Sequence, residues 1–251
     1  MIAVLAALQP EISACLGSLE VRRETTIAGF PAFETDGAIL CQSGMAMRAR
    51  EATEAVIASV SPAAVLSVGI AGGLHADLPG GQVVLCERID HESHRESGVE
   101  QTVFSDPRLI EAAEAVAGGM GLPFLRGSSL TIDAVAHGPE VKAHHHAWKA
   151  HDIVEMESYW VGAAAVRHGI PFLAVRTISD TATDTLHRTG AMGDDGTFDQ
   201  GRFLSYIDEH PEAAPDIARM AEVSRLAITN LAIVMAGLLP PLIQHFASDV
   251  H

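Results

Sequence analysis

Ala64-Val65-Leu66-Ser67-Val68-Gly69-Ile70-Ala71-Gly72-Gly73 is the stretch whose reading decides the architecture of this chain. Residues 64–68 are apolar or small with no polar face, the pattern of a strand buried on both sides. The glycines that follow read as a turn, where backbone can come close to a ligand. Working back from it, residues 46–59 form a helix with Ala52, Ala55, Val56 and Ser59 on one face, and residues 2–8 form another buried strand. Between these lie a turn and short helix at 10–19, then two or three short strands within 21–42, broken at Gly29, Pro31 and Asp36-Gly37. Working forward, strands at 82–89, 123–126, 129–132, 153–155 and 172–175 alternate with helices at 107–118, 139–150 and 159–168. A polar loop, 181–197, precedes helices near 199–209 and 215–239, the second ended by Pro240-Pro241. This alternation predicts an α/β fold: a single three-layer α/β/α domain, its central mixed sheet mostly parallel and covered by helices on both faces. One domain spans residues 1–251, with a helical tail at about 199–245, because no linker, low-complexity tract or repeat divides the chain. With 251 residues, 48% of them hydrophobic, one substantial core can form.

Sixteen basic residues stand against 32 acidic ones, a formal net charge of -16. Such a surface repels phosphate backbones, which excludes nucleic acid as a partner and favours a small ligand without phosphate. Cys15, Cys41 and Cys86 are far apart in apolar stretches, form no CxxC pair and are odd in number. They read as buried thiols in a reducing cytoplasm. The chain opens Met1-Ile2-Ala3-Val4 with no basic leader, which reads as a strand and not as a signal peptide. Residues 226–244 carry no charge and approach membrane-spanning length, but Thr229, Asn230 and Gly237 dilute them. A buried or interface helix is expected there, and no stable membrane span; contact with a membrane or an apolar substrate is the alternative.

Ligands of open α/β sheets bind beyond the carboxyl ends of the strands. That rule selects Glu11, the stretch 69–73, Met156-Glu157 and Ser179-Asp180, each directly after an apolar strand. Three of the four carry a carboxylate. Separated carboxylates at one sheet edge suit general acid–base work, although acidic residues at loop starts also cap helices.

Four motifs stand in order between residue 1 and about residue 184: Gln9-Pro10-Glu11, Val68-Gly69-Ile70-Ala71-Gly72-Gly73-Leu74, Val154-Glu155-Met156-Glu157-Ser158 and Arg176-Thr177-Ile178-Ser179-Asp180. In them the chain resembles the nucleoside phosphorylase and nucleosidase superfamily, and within it the methylthioadenosine/adenosylhomocysteine nucleosidases. The resemblance implies a cofactor-free, metal-free hydrolase of N-ribosyl bonds, acting on a purine nucleoside and assembled as a homodimer. It implies that Asp180 protonates the leaving base and that Glu11 activates water. Glu157 would hold the ribose hydroxyls, as a carboxylate can with two oxygens, and Met156 would pack on the sugar. Ser179 and Arg176 would shape the acid's loop; Ser43 and Gly44 would lie beside the sugar; Ala71, Gly72 and Val135 would line the pocket. His91, at the end of strand 82–89 with His94 close behind, is a candidate for the pocket rim.

An acid at position 180 favours adenine, whose exocyclic amine it can accept, and the substrate expected is an adenosine substituted at its 5′ position. No Arg or Lys lies between Met1 and Val21, and a carboxylate at Glu11 repels phosphate, so hydrolysis is favoured over phosphorolysis. Arg48 and Arg50 follow the 43–44 loop and read as solvated. The alternatives are a phosphorylase of the same superfamily, acting on a purine nucleoside or a lipid-linked adenosine, and a non-catalytic nucleoside-binding protein on this fold. Three departures bear on substrate: Ile70 replaces a serine common in the glycine stretch, Val135 stands where an aromatic often stacks on the base, and the tail is longer. From Asp195-Gly196-Thr197-Phe198-Asp199 through Pro211, Pro215 and Arg219 that tail resembles the hopanoid-associated phosphorylases.

The remaining signals point elsewhere. His144-His145-His146, with His151, diverge around a helix and read as a solvated helix end, not as a metal site. The glycine pattern is GxxGG, not the GxGxxG of a dinucleotide site, and no GxSxG elbow is present.

Overall fold

Strand β5, Ala64–Gly73, does not stop at its first glycine: it continues as strand through the whole glycine stretch. The chain is described by a computed structural model over residues 1–17, 19–93 and 102–248; His94 lies outside the described residues. Along its first half β5 pairs in parallel with β1, Ile2–Ala6, as far as Leu5 opposite Ser67. On its other edge it pairs in parallel with β10, Phe172–Asp180, from Val65 opposite Phe172 to Gly72 opposite Asp180. Once β1 has ended, Gly72 and Gly73 take up a third partner, antiparallel β9, Ile153–Glu155.

These pairings close a ring. β10 is antiparallel to β6, Val83–His91; β6 is parallel to β8, Phe124–Thr131; β8 is parallel to β9, which returns to β5. β8 is one strand through both of the segments read separately in the sequence. From β1 an open wing continues through β4 (Ala38–Gln42), β3 (Phe30–Glu34) and β2 (Arg23–Ile27), and the two-residue β7 (Val103–Phe104) adds to β6. Antiparallel pairings are as numerous as parallel ones among the described residues, so the sheet is mixed and not mostly parallel. The tight turns carry part of this difference: Gly29 and Gly37, at φ of 89° and 88°, join β2 to β3 and β3 to β4 too closely for a crossover.

Alternation along β1 divides the core. Ala3 and Leu5 join Ala52 and Val56 of α2 (Arg48–Val60) and Val161 of α5 (Ser158–Arg167) on one face. Ile2, Val4 and Ala6 join Ile12 of α1 (Gln9–Leu16), Ile110 of α3 (Pro107–Gly119) and Leu238 of α7 (Ala214–Ser248) on the other. Two further helices are described, α4 (Pro139–His146) and α6 (Gln200–Glu209).

Two boundaries differ from expectation for identifiable reasons. Helix α7 runs through Pro240 and Pro241 to Ser248. Proline there removes helix hydrogen bonds, but Leu238, Leu239 and Leu242 are buried in the core and hold the last turns in place. The apolar stretch has the length and hydropathy of a span, yet its face packs on the sheet. Helix α4 stops at His146 because Lys149 and Ala150 take positive φ, 58° and 47°, and turn the chain inward. That turn buries His151 completely, with Nε2 2.9 Å from Asp90 and Nδ1 2.9 Å from the Trp148 carbonyl. His151 is thus a core residue and no part of a solvated helix end.

Candidate active site

The carboxyl ends of β1, β5, β9 and β10 meet at one cavity of about 170 Å³. Its polar lining is Glu11, Glu155, Glu157, Ser179 and Asp180; Leu8, Met45, Ile70, Ile132, Val135, Met156 and Leu186 make most of the rest apolar. The glycines of β5 make room for the acids. A Cβ on Gly69 would lie 2.5 Å from Glu11 Oε1 and 2.7 Å from Arg176 Nη1, and one on Gly72 would lie 2.8 Å from Asp180 Oδ2. Neither glycine has positive φ, so what these positions require is space and not an unusual backbone conformation.

Glu11 sits in the first turn of α1, buried, where Oε2 accepts the Leu8 N–H and Oε1 accepts the Ile70 N–H, both at 2.8 Å. Burial raises its carboxyl above the ordinary range, opposed by the Arg176 guanidinium and these N–H donors. Arg176 lies behind the cavity, 1% exposed, its Nη2 2.9 Å from Glu155 Oε2, 2.9 Å from Ser67 Oγ and 3.9 Å from Glu157 Oε2. Glu155 also accepts the Glu157 and Ser158 N–H groups at 2.9 and 2.6 Å, and the Thr131 hydroxyl. Burial alone would raise the Glu155 carboxyl; the Arg176 charge and these donors outweigh it and hold it low. Among the described residues, the one hydrogen bond to the Glu157 carboxyl comes from the Ala46 N–H at 3.3 Å, with Arg176 farther off. Burial, then the charge of Glu155, push it up to about 8 against the pull of Arg176. One arginine therefore sorts the carboxyls: Glu155 ionised as its partner, Glu157 left protonated and facing the cavity.

The sign of the Glu157 shift makes a test. A carboxyl that holds its proton more tightly when folded stabilises the fold fully below its unfolded value near 4.5 and loses that contribution as pH rises through about 8. Glu157→Gln removes the titration. The variant is expected to gain on the wild type in stability between pH 5 and 8.5, by on the order of a few kcal/mol, read as a rising difference in Tm. Parallel thermal profiles across that range would show that Glu157 is ionised without cost.

Of the residues expected at the site, Glu11, Ala71, Gly72, Val135, Met156, Glu157, Ser179 and Asp180 line the cavity. Ser43, Gly44, Arg176 and His91 do not. Ser43 is buried, its hydroxyl within reach of the Gly44 carbonyl at 2.9 Å and the Ala6 carbonyl at 3.3 Å. Gly44, at φ 70°, packs against the 194–195 backbone, and the adjacent Met45 N–H donates to the Asp194 carbonyl at 2.9 Å. His91 is buried against the Tyr159 and Trp160 rings, with Nε2 3.2 Å from Asp133. Arg48 is exposed and lies over the Phe30 ring.

Two participants escaped the sequence reading. Glu155 was visible inside its motif, yet nothing local marks it as the partner of Arg176. Lys142 of α4 is fully buried and bonds Asp180 Oδ2 at 2.5 Å. Its one sequence signal is rarity, for the chain holds only two lysines.

Comparison with known proteins agrees with this geometry. The family model described as the phosphorylase superfamily matches residues 2–221. The 5′-methylthioadenosine/S-adenosylhomocysteine nucleosidase of Lysinibacillus sphaericus is 29% identical over 198 residues, covering 72% of this chain and 86% of that protein. Its counterpart in Shewanella piezotolerans is 27% identical over 205 residues, covering 73% and 87%. Among solved structures, the nucleosidase of that name from Neisseria meningitidis, in complex with methylthio-immucillin-A, superposes with a TM-score of 0.75 at 23% identity, covering 96% of this chain and 98% of that one. The futalosine hydrolase of Helicobacter pylori does so at 0.73 and 17% identity, covering 96% and 97%. Because the family match runs through every strand that frames the cavity, and not through isolated motifs alone, the chain belongs to the phosphorylase superfamily.

Proposed function

We propose that the protein is a nucleosidase that hydrolyses the N-glycosidic bond of a 5′-substituted adenosine, such as methylthioadenosine or adenosylhomocysteine, and releases adenine. The observation that carries hydrolysis over phosphorolysis is electrostatic. Among the described residues that line the cavity, four are carboxylic and none is Arg or Lys. A phosphate dianion entering there would find no side-chain cation on the lining to offset its desolvation. The backbone donors beside the sugar site are also taken: Ser43 N–H by Ala6, Met45 N–H by Asp194, Ala46 N–H by Glu157 and Ile70 N–H by Glu11. Water needs none of them.

In this reading Asp180 passes a proton to the leaving purine, Glu11 takes one from water, and Glu157 meets the ribose hydroxyls over Met156. Glu157 releases its proton to solvent as the nucleoside binds, and its carboxylate then accepts from the ribose hydroxyls. The apolar lining by Met45, Ile132, Val135 and Leu186 grips a base or 5′ group by contact without aromatic stacking. The names of the Lysinibacillus and Shewanella relatives support the substrate class. We also propose a cytoplasmic homodimer that needs no cofactor. Three free, buried cysteines suit a reducing compartment, and exposed Met47, Phe104 and Val166 offer apolar surface to a second copy.

Adenine release from methylthioadenosine, with and without phosphate, tests the function, with the sugar product identified by mass. Free 5-methylthioribose at equal rates in both buffers is expected. Strict phosphate dependence with a sugar 1-phosphate would transfer the protein to the phosphorylases, and no turnover in either buffer would remove this substrate.

A further inference from the structure

We propose that Lys142 is the positioning residue that supplies, through Asp180, the proton taken up by the leaving purine; this rests on the reading of Asp180 as the group that faces the base. Lys142 Nζ donates to Asp180 Oδ2 at 2.5 Å, to the Thr181 carbonyl at 2.6 Å and to the Asp184 carbonyl at 3.4 Å. Three acceptors for three N–H bonds describe an ammonium. Asp180 Oδ1 lies 2.8 Å from the Ser179 hydroxyl, which is also 3.2 Å from the Ala71 carbonyl, so the cation bonded to this carboxyl is Lys142 on Oδ2. With Lys142 Nζ bonded directly to Oδ2, the transferable proton nearest to the Asp180 carboxyl is on Lys142.

Stability alone is a poor reason for this pair, because a fully buried ion pair is often no better than an apolar pair of the same volume. The other ionisable side chain of the cluster is Asp184, with its carboxylate committed to Arg219 Nη1 at 2.7 Å and the Thr181 N–H at 2.7 Å. Across the cavity stand Glu11 and Glu157, and Glu155 with its partner Arg176. None of these donates to Asp180 in place of Lys142.

The step balances. As the bond from C1′ to the base nitrogen breaks, its electron pair moves into the purine, whose imidazole nitrogen takes a proton from Asp180. Asp180 takes one from the Lys142 ammonium, which becomes an amine. Water adds to C1′ and gives its proton to Glu11. When the products leave, the Glu11 proton goes to solvent and Lys142 is reprotonated from solvent.

Lysine can release that proton; arginine at this position could keep the charge but would not release it. The test measures methylthioadenosine turnover against pH in the wild type, Lys142→Arg and Lys142→Met, with circular dichroism and adenine binding as controls. Lys142→Arg is expected to bind adenine and keep KM within about threefold while kcat falls about 100-fold or more. In Lys142→Met, Asp180 must carry its own proton, so activity survives at acid pH and its alkaline limb moves down by about one pH unit or more. Wild-type kcat in Lys142→Arg would overturn the proposal. So would a Lys142→Met profile parallel to wild type at a uniformly lower level, which decides the matter should the arginine variant not fold. A wild type that releases no adenine fails the functional reading itself, a result distinct from either.

Discussion

On the proposed hydrolysis, Glu11→Gln is expected to lower kcat by about 10²–10⁴-fold while adenine still binds, the loss that follows when a positioned base is removed. Glu11 is 3% exposed and reaches the cavity from the first turn of α1, held by the Leu8 and Ile70 N–H groups. Burial, with Arg176 opposing, raises its carboxyl, which makes the ionised form a stronger base than a solvated glutamate. The sign of the pH effect follows. The base must be ionised to take a proton from water, so kcat/KM falls on the acid side, at a pH above the ordinary carboxylate range. Glutamine has the same shape but cannot accept that proton, and its amide cannot satisfy both N–H donors. Stopped assays across pH 4–9 check both points. Turnover within threefold of wild type, or an unchanged acid limb, would take the base role from Glu11.

Arg176→Met is the substitution expected to cost most stability. The guanidinium is the cation shared by Glu155, Glu157 and, through space, Glu11, in a region closed to solvent. Removing one partner of a buried ion pair leaves uncompensated charge and costs about 3–5 kcal/mol. At this chain length that is about 6–20 °C in Tm. The carboxyls would then bind protons more tightly in the folded state than in the unfolded chain, so the deficit should be smallest near pH 5 and grow toward pH 8. Denaturation at both values reads it directly. A variant within about 1 kcal/mol of wild type at pH 8 would mean that Glu155 is held by its N–H and hydroxyl donors alone.

The chain by itself determined the succession of elements, since period-two and period-3.6 apolar patterns are local properties of neighbouring residues. It also determined that acids follow the strands at Glu11, Glu157 and Asp180, and that a glycine stretch lies between them. Only the tertiary structure decided how these act together. Gly69 and Gly72 look like a turn in sequence but stay in β5, because Glu11, Arg176 and Asp180 come from distant segments to fill the space their missing side chains leave. The closing of β5, β10, β6, β8 and β9 into a ring depends on pairings between segments far apart in the chain, which no local pattern encodes. The continuation of α7 past Pro240 depends on leucines buried by other elements. Most of all, which carboxyl is charged is not a property of its motif. Glu155 and Glu157 are two residues apart, yet Arg176 and the N–H donors favour one, burial protonates the other, and Lys142 holds Asp180, because the cost of a charge is set by what surrounds it in space.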